Sequence, residues 1–350
     1  MLLENASFNG QLLMTLAIQG YSRFPVCTLI SLRSDSSALE SYFKHRPPPC
    51  QWIALRLPSI FHPSSIRVAA GFLGVDMKDG KDGSIILTQT GLTERIIDAL
   101  GLHASCSTKI DTPAEPSPLP KDSNGIPADP TVNYASVIGM LLYLAGHSRP
   151  DIAFAVHQCA RNTFQPTRKH VNALKRIGRY LKGTRNKGII MCPMSKLQVV
   201  CYPDADFAGL YNHEDSQDPH CVRSRTGYVI LLAGCPVLWK SKLQTKIALS
   251  TMEAEYVALS QSCKDLFPLL DQIKELGNAV GLPVSECTNL HTTIYKDNVG
   301  ALTLSRLEPK CMTPRSKHYA IKYHWFREQI GPRNIILMKV DTQNLSLIHI

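Results

Sequence analysis

The stretch VVCYPDADFAG, residues 199–209, runs from a block of strand-forming residues straight into two aspartates, Asp204 and Asp206. Val199, Val200 and Tyr202 favour an extended, half-buried backbone, and the acids fall where such a strand leaves the core. A polar residue at a strand end often only opens a turn, and Asp206 is read that way. For Asp204 the deciding matter is whether other carboxylates arrive at the same edge.

Downstream, TGYVILLAG and PVLWKSK pattern as a hairpin turning at Gly234–Cys235. Ser250-Thr-Met-Glu253 opens a long helix to Gly277, with the apolar stripe Tyr256, Leu259, Cys263, Phe267, Leu270 and Ile273. LHTTIYK is a strand and DNVGALTLSRL a helix. TPRSKHYAIKYHWFREQI patterns as a basic, aromatic-rich helix and NIILMKV as a last strand. This order, three strands, helix, strand, two helices, strand, predicts a mixed sheet covered by helices, an α/β domain.

With the first and fourth strands as neighbours, Asp204 and Asp297 end on one edge, and Glu255, near the start of the long helix, comes alongside. Three converging carboxylates resist ionising together unless a cation neutralises them. Carboxylates completed by water and phosphate oxygens suit Mg²⁺, and two such ions stabilise the attacking and leaving oxygens of a phosphoryl displacement. Plainer uses exist for the same acids. Asp297 serves equally as a helix cap, and Glu253 fits a capping box with Ser250. Spacing alone leaves both readings open.

Residues 1–69 show no sustained period and read as a disordered leader. From residue 70, FLGVDM, DGKDG and SIILTQ read as strand, turn, strand, and TERIIDALGL as a helix closed by Gly101. Residues 112–130 carry six prolines and form a linker or extended wrap. YASVIGMLLYLAG is a buried helix, and SRPDIAFAVHQCARN starts another with Ser148 as its cap. Residues 161–188 hold nine lysines and arginines and no acid. Val171, Leu174, Ile177 and Leu181 mark the apolar face there, leaving Arg168, Lys175, Arg179 and Lys182 toward solvent. A one-signed run repels itself unless something anionic lies against it, so these four are candidate contacts to a phosphate backbone.

Composition sets outer limits. The 350 residues carry a net charge of +10 and a pI near 9.0, consistent with a polyanionic partner. Eleven cysteines without a CxxC pair argue against a disulfide framework and for a reducing compartment. No apolar run is long enough for a membrane span, and MLLENASF lacks the basic start of a secretory signal. An intracellular location, cytoplasmic or nuclear, and no membrane partner are expected.

YASVIGMLLYLAGHSRPDIAFAV, YPDADFAGL, SRTGYVILLAGCPVLWKSK, ALSTMEAEYVALS, YKDNVGAL and SKHYAIKYHWFRE, in this order, resemble the C-terminal part of copia-type LTR retrotransposon Pol polyproteins, over residues 70–344. The resemblance implies four segments: a non-matching leader, 1–69; a mostly helical remnant of reverse transcriptase thumb and connection, 70–193; an RNase H-like five-stranded mixed sheet with flanking helices, 194–344; and an aberrant tail, 345–350. It also implies that Asp204, Glu255 and Asp297 match three of four RNase H carboxylates holding two Mg²⁺ ions. The substrate implied is an RNA–DNA hybrid. The upstream reverse transcriptase domains would be missing partners.

The chain departs from the family pattern in several places. No Tyr-x-Asp-Asp motif occurs, so polymerase chemistry is not expected. Ala320 stands where relatives often carry an acid. After the last strand the chain reads VDTQN and then LSLIHI, where the family supplies its fourth carboxylate; Asp341 does not match it, so impaired hydrolysis is expected. An integrase-type transposase fits less well, because Glu255 lies between the two aspartates. Cys311, His318 and His324 are expected to face core and solvent, with no zinc.

Overall fold

The computed structural model describes residues 7–8, 11–12, 74–80, 83–102, 110–194, 197–215, 217–218, 220–279, 290–308 and 324–341. The expected leader, apart from a two-residue ladder pairing Ser7–Phe8 with Gln11–Leu12, lies outside these residues. So do Ala320, Cys311, His318, most of the basic aromatic helix, and the tail.

The first elements are β1 (Asp76–Asp79), β2 (Ile85–Thr88) and α1 (Thr90–Ala99). Gly101 takes φ +66° just past the helix end, a conformation that costs a residue without Cβ least. Helices α2 (Tyr134–His147), α3 (Ala153–Ala160) and α4 (Arg168–Gly183) follow. Asn133 caps α2, its side chain accepting the Ser136 N–H. Ser148, read from the sequence as the cap of the next helix, does not cap α3. It ends α2, donates its hydroxyl to Gln89 at 2.8 Å, and a 3₁₀ turn over Pro150–Ile152 leads into α3.

A short strand, β3 (Ile189–Met191), returns to pair antiparallel with β2, giving a three-stranded sheet in the order β1-β2-β3. The periodicity of three residues cannot announce such a strand, since its partner lies about a hundred residues earlier.

The second sheet is built from β4 (Gln198–Asp206), β5 (Arg225–Leu232), β6 (Cys235–Leu243), β7 (His291–Lys296) and β8 (Ile335–Lys339). Its order is β8-β7-β4-β5-β6. β4 pairs antiparallel with β5 and parallel with β7, while β8 adds parallel to β7. The mixed five-stranded sheet expected from sequence is therefore present. The β5–β6 hairpin turns at Ala233 and Gly234, φ 48° and 81°, one residue earlier than expected. Two positive φ values are what a two-residue turn with right-handed strand twist requires.

α5 (Thr251–Ala279) lies against β4 and β5, and the whole expected stripe from Tyr256 to Ile273 is buried. α6 (Val299–Arg306) packs on α5 and β8. A single core joins Val199, Cys201, Ile230, Leu259 and Ile294 to the apolar face of the three-stranded sheet. A second core fills the space between α1, α2, α3 and α4. Trp239 of β6 packs against both cores and donates its indole N–H to the Ala145 carbonyl of α2 at 2.8 Å. Burial of these faces, at about 25 cal/mol per Å² of apolar surface, is the main stabilising term.

Candidate metal centre

Three elements deliver the acids. In the β4–β7 ladder Gln198 lies opposite His291 and Cys201 opposite Ile294. Continued by three residues, that register sets Asp204 level with Asp297. Asp204 lies near the end of β4 and Asp297 directly follows β7.

Glu255 comes from the opening turns of α5. The start of that helix is fixed by Ser250, whose hydroxyl accepts the Glu253 N–H at 3.1 Å. Glu253 reaches back, as its place in a capping box implies, although to the amide of Leu249 rather than Ser250, at 2.9 Å. Glu255 is thereby left free of capping duty and is directed at the strand ends.

The plainer use of Asp297 fails. Asn298 caps α6, its side chain accepting the Ala301 N–H at 2.9 Å. One carboxylate oxygen each from Asp204, Glu255 and Asp297 lie within 4.8 Å of one another. Asp206, at the exposed end of β4, is outside this cluster. It lines a cavity of about 230 Å³ with Arg223, Arg225 and Phe154, where the Arg225 guanidinium lies 5.1 Å over the Phe154 ring.

A fourth residue, not anticipated from sequence, completes the centre. Lys296, the last residue of β7, is fully buried and points among the acids. Its ammonium lies 2.6 Å from Glu255, 2.8 Å from Asp297 and 3.7 Å from Asp204. The signal was visible in TTIYKDN, where a lysine ends an otherwise buried strand, but without a known partner it reads as the edge of the strand.

Burial pushes the Glu255 carboxyl up to about 7; Lys296 opposes that rise, and the two aspartates add to it. Burial alone would lower the Lys296 ammonium, but Glu255 and Asp297 outweigh it and hold the group above its ordinary value. Behind the centre, Tyr256 of α5 shares a hydrogen bond with the ring of His324, whose basicity burial lowers to about 4.

The donor set itself suits a hard divalent cation: three carboxylates, those of Asp204 and Asp297 partly exposed and that of Glu255 buried. The four basic candidates of α4 fare unevenly. Val171, Leu174, Ile177 and Leu181 are buried as expected, Arg168 is exposed, and Lys175 and Arg179 are partly so. Lys182 is tied down, donating to the Leu102 carbonyl at 2.7 Å. Arg176, on the same helix, is held by Glu115 and Thr112 of the proline-rich wrap.

A mixed sheet in this order, with one acid each from its first strand, its long helix and its fourth strand, defines an RNase H-like domain. The chain's homologues are retrovirus-related Pol polyproteins of transposons. It is 33% identical over 280 residues to the polyprotein from transposon RE1 of Arabidopsis thaliana, a match covering 78% of this chain and 17% of that one. With the polyprotein from transposon TNT 1-94 of Nicotiana tabacum it shares 34% identity over 215 residues, covering 60% of this chain and 14% of the relative. The chain thus spans between 14% and 17% of the length of these relatives. No protein-family profile matches it. Among solved structures, LC11-RNase H1 isolated from compost aligns with 43% of this chain and 90% of its own, at 15% identity and a TM-score of 0.31. That likeness is too distant to add to the sheet topology. No described helix is long and apolar enough to cross a membrane.

Proposed function

We propose that this chain carries a Mg²⁺-dependent nuclease that hydrolyses the RNA strand of RNA–DNA hybrids. The observation that carries the reading is the convergence of Asp204, Glu255 and Asp297, from three separate elements, within 4.8 Å. These three residues would hold the divalent ions. When bound, such ions polarise the phosphate and supply an activated water and a stabilised leaving oxygen. The chain's own part is positional. The parallel β4–β7 register sets the two aspartates side by side, and the start of α5 holds Glu255 over them.

Substrate contact is assigned to phosphates. Arg168, Lys175 and Arg179 face outward from α4 and would grip the sugar–phosphate backbone without reading sequence. Discrimination of RNA from DNA in such an interface comes from helix shape and the 2′-hydroxyl. The partner is accordingly an RNA–DNA hybrid or other nucleic acid, handled in the cytoplasm or nucleus alongside the rest of a polyprotein.

A second reading is a chain that binds nucleic acid and catalyses nothing, and the Lys296 ammonium among the acids favours it. Cleavage of an end-labelled hybrid by the full chain, with Mg²⁺ or with EDTA, separates the two. Metal-dependent cutting lost in Asp204→Asn and in Asp297→Asn supports the nuclease. Salt-sensitive binding without cutting supports the second reading.

A further inference from the structure

Lys296 occupies an inward position of β7, its side chain 0% exposed, one residue ahead of Asp297. Its ammonium touches the Glu255 and Asp297 oxygens at 2.6 and 2.8 Å and stands 3.7 Å from Asp204. These three carboxylates are the ones that would ligate a divalent ion. A Mg²⁺ ion sits about 2.1 Å from each oxygen that binds it. The ion and the ammonium therefore compete for one small space, and two like charges at such separation repel strongly in a partly desolvated site.

The lysine is not a mobile rim residue that drifts in from solvent. It is enclosed along its whole length, and the strand that carries it is paired into the sheet. β4 pairs with β7 as far as Ile294, β8 pairs with it through Lys296, and the Lys296 carbonyl accepts the Val340 N–H at 3.1 Å. Its neighbour Tyr295 faces the other way and stacks on Tyr202, ring centroids 5.2 Å apart, which fixes the strand's orientation and keeps Lys296 aimed inward.

We propose that Lys296 is a built-in counter-cation of the acidic triad: its ammonium takes the position of a divalent ion, neutralises the carboxylates in the metal-free domain, and must withdraw before metal binds. The inference rests on the metal-site reading of the triad and describes how that site is controlled. It makes the domain fold without metal and raises the divalent-ion concentration at which the triad loads.

The test is a Mn²⁺ titration of the full chain, followed by calorimetry and by thermal unfolding, for the wild type, Lys296→Met and the double variant Lys296→Met/Asp204→Asn. Methionine keeps an unbranched stem of similar length without the charge. The expected result is a lower melting temperature for Lys296→Met without metal, recovered on adding Mn²⁺. Its Mn²⁺ affinity should exceed the wild type's by about tenfold or more, and the double variant should lose that gain. Equal affinity in wild type and Lys296→Met overturns the counter-cation role and leaves the metal site standing. Absence of binding in both folded proteins overturns the metal-site reading, and the counter-cation falls with it. Should Lys296→Met not fold even with Mn²⁺, the wild-type titration decides. Saturation in the micromolar range overturns the proposal, and binding no tighter than the millimolar range supports it.

Discussion

The Glu255 carboxylate and the Lys296 ammonium meet at 2.6 Å, one from the opening turns of α5 and the other from the last position of β7. Helix and sheet are thus joined by an ion pair at the centre of the acidic cluster. Removing one partner of a buried pair is costly when the other is left alone. Glu255→Gln does not leave it alone, because Lys296 keeps Asp297 at 2.8 Å and Asp204 at 3.7 Å. The variant is expected to fold, losing about 1–3 kcal/mol in a urea titration, while hybrid cleavage drops to background.

Asp265 offers a pH test away from the cluster. Burial pushes its carboxyl up to about 8. It accepts the Tyr228 hydroxyl, and Lys240, at 3.6 Å and partly exposed, is too loose a partner to offset the burial. The folded chain therefore holds a proton that the unfolded chain, with an ordinary value of 3.8, releases. The stability from this group is fully present below about pH 4 and is lost as pH rises toward 8. Asp265→Asn, which cannot ionise, should flatten the fall in the urea midpoint between pH 5 and 8. An unchanged slope would remove Asp265 as its source.

Among the basic residues of α4, Lys182 and Arg176 are bonded to other segments, whereas Arg168, Lys175 and Arg179 make no side-chain hydrogen bond or ion pair among the described residues. Arg168→Ala, Lys175→Ala and Arg179→Ala should each weaken hybrid binding and reduce the slope of log affinity against log salt by about one. Lys182→Ala, which removes the bond to the Leu102 carbonyl, should lower stability by about 1 kcal/mol with little effect on that slope. Fluorescence anisotropy with a labelled hybrid at several salt concentrations checks all four.

Trp239 couples the helical core to the larger one. Trp239→Phe keeps an aromatic, though smaller, side chain but loses the hydrogen bond to Ala145, costing about 1 kcal/mol. Trp239→Ala also leaves a void between the two cores, costing about 3 kcal/mol or more. Circular dichroism in urea should then resolve two transitions for the alanine variant and one for the wild type. A single sharp transition in both would mean that other contacts carry the coupling, such as the Arg161–Glu214 pair with its two hydrogen bonds at 2.7 and 2.9 Å.

What could be read from the sequence followed from local periodicity and ordered motifs. The stripe of α5, the strand character of β4 to β8, and the apolar face of α4 each repeat within a few residues, so all were visible in advance. The triad was visible only as three acids at element ends; nothing local shows that β4 and β7 pair in the register that joins Asp204 to Asp297. β3 was missed because its pairing with β2 is non-local and three residues show no period. Lys296 was missed for a different reason. A lysine at a strand end is ordinarily a solvated terminus, and only the arrival of Glu255 from a separate helix makes it a buried counter-charge. Arg176 and Lys182 show the same limit, since the residues that bind them lie far away in sequence.

The most direct measurement is cleavage of a labelled RNA–DNA hybrid by the full chain at high Mn²⁺, comparing wild type, Lys296→Met and Asp204→Asn. Metal-dependent cutting of the RNA strand is expected, faster in Lys296→Met, stopped by EDTA and absent in Asp204→Asn. Cutting that persists unchanged in Asp204→Asn, or no cutting by wild type and Lys296→Met when both are folded and bind the hybrid, would contradict it.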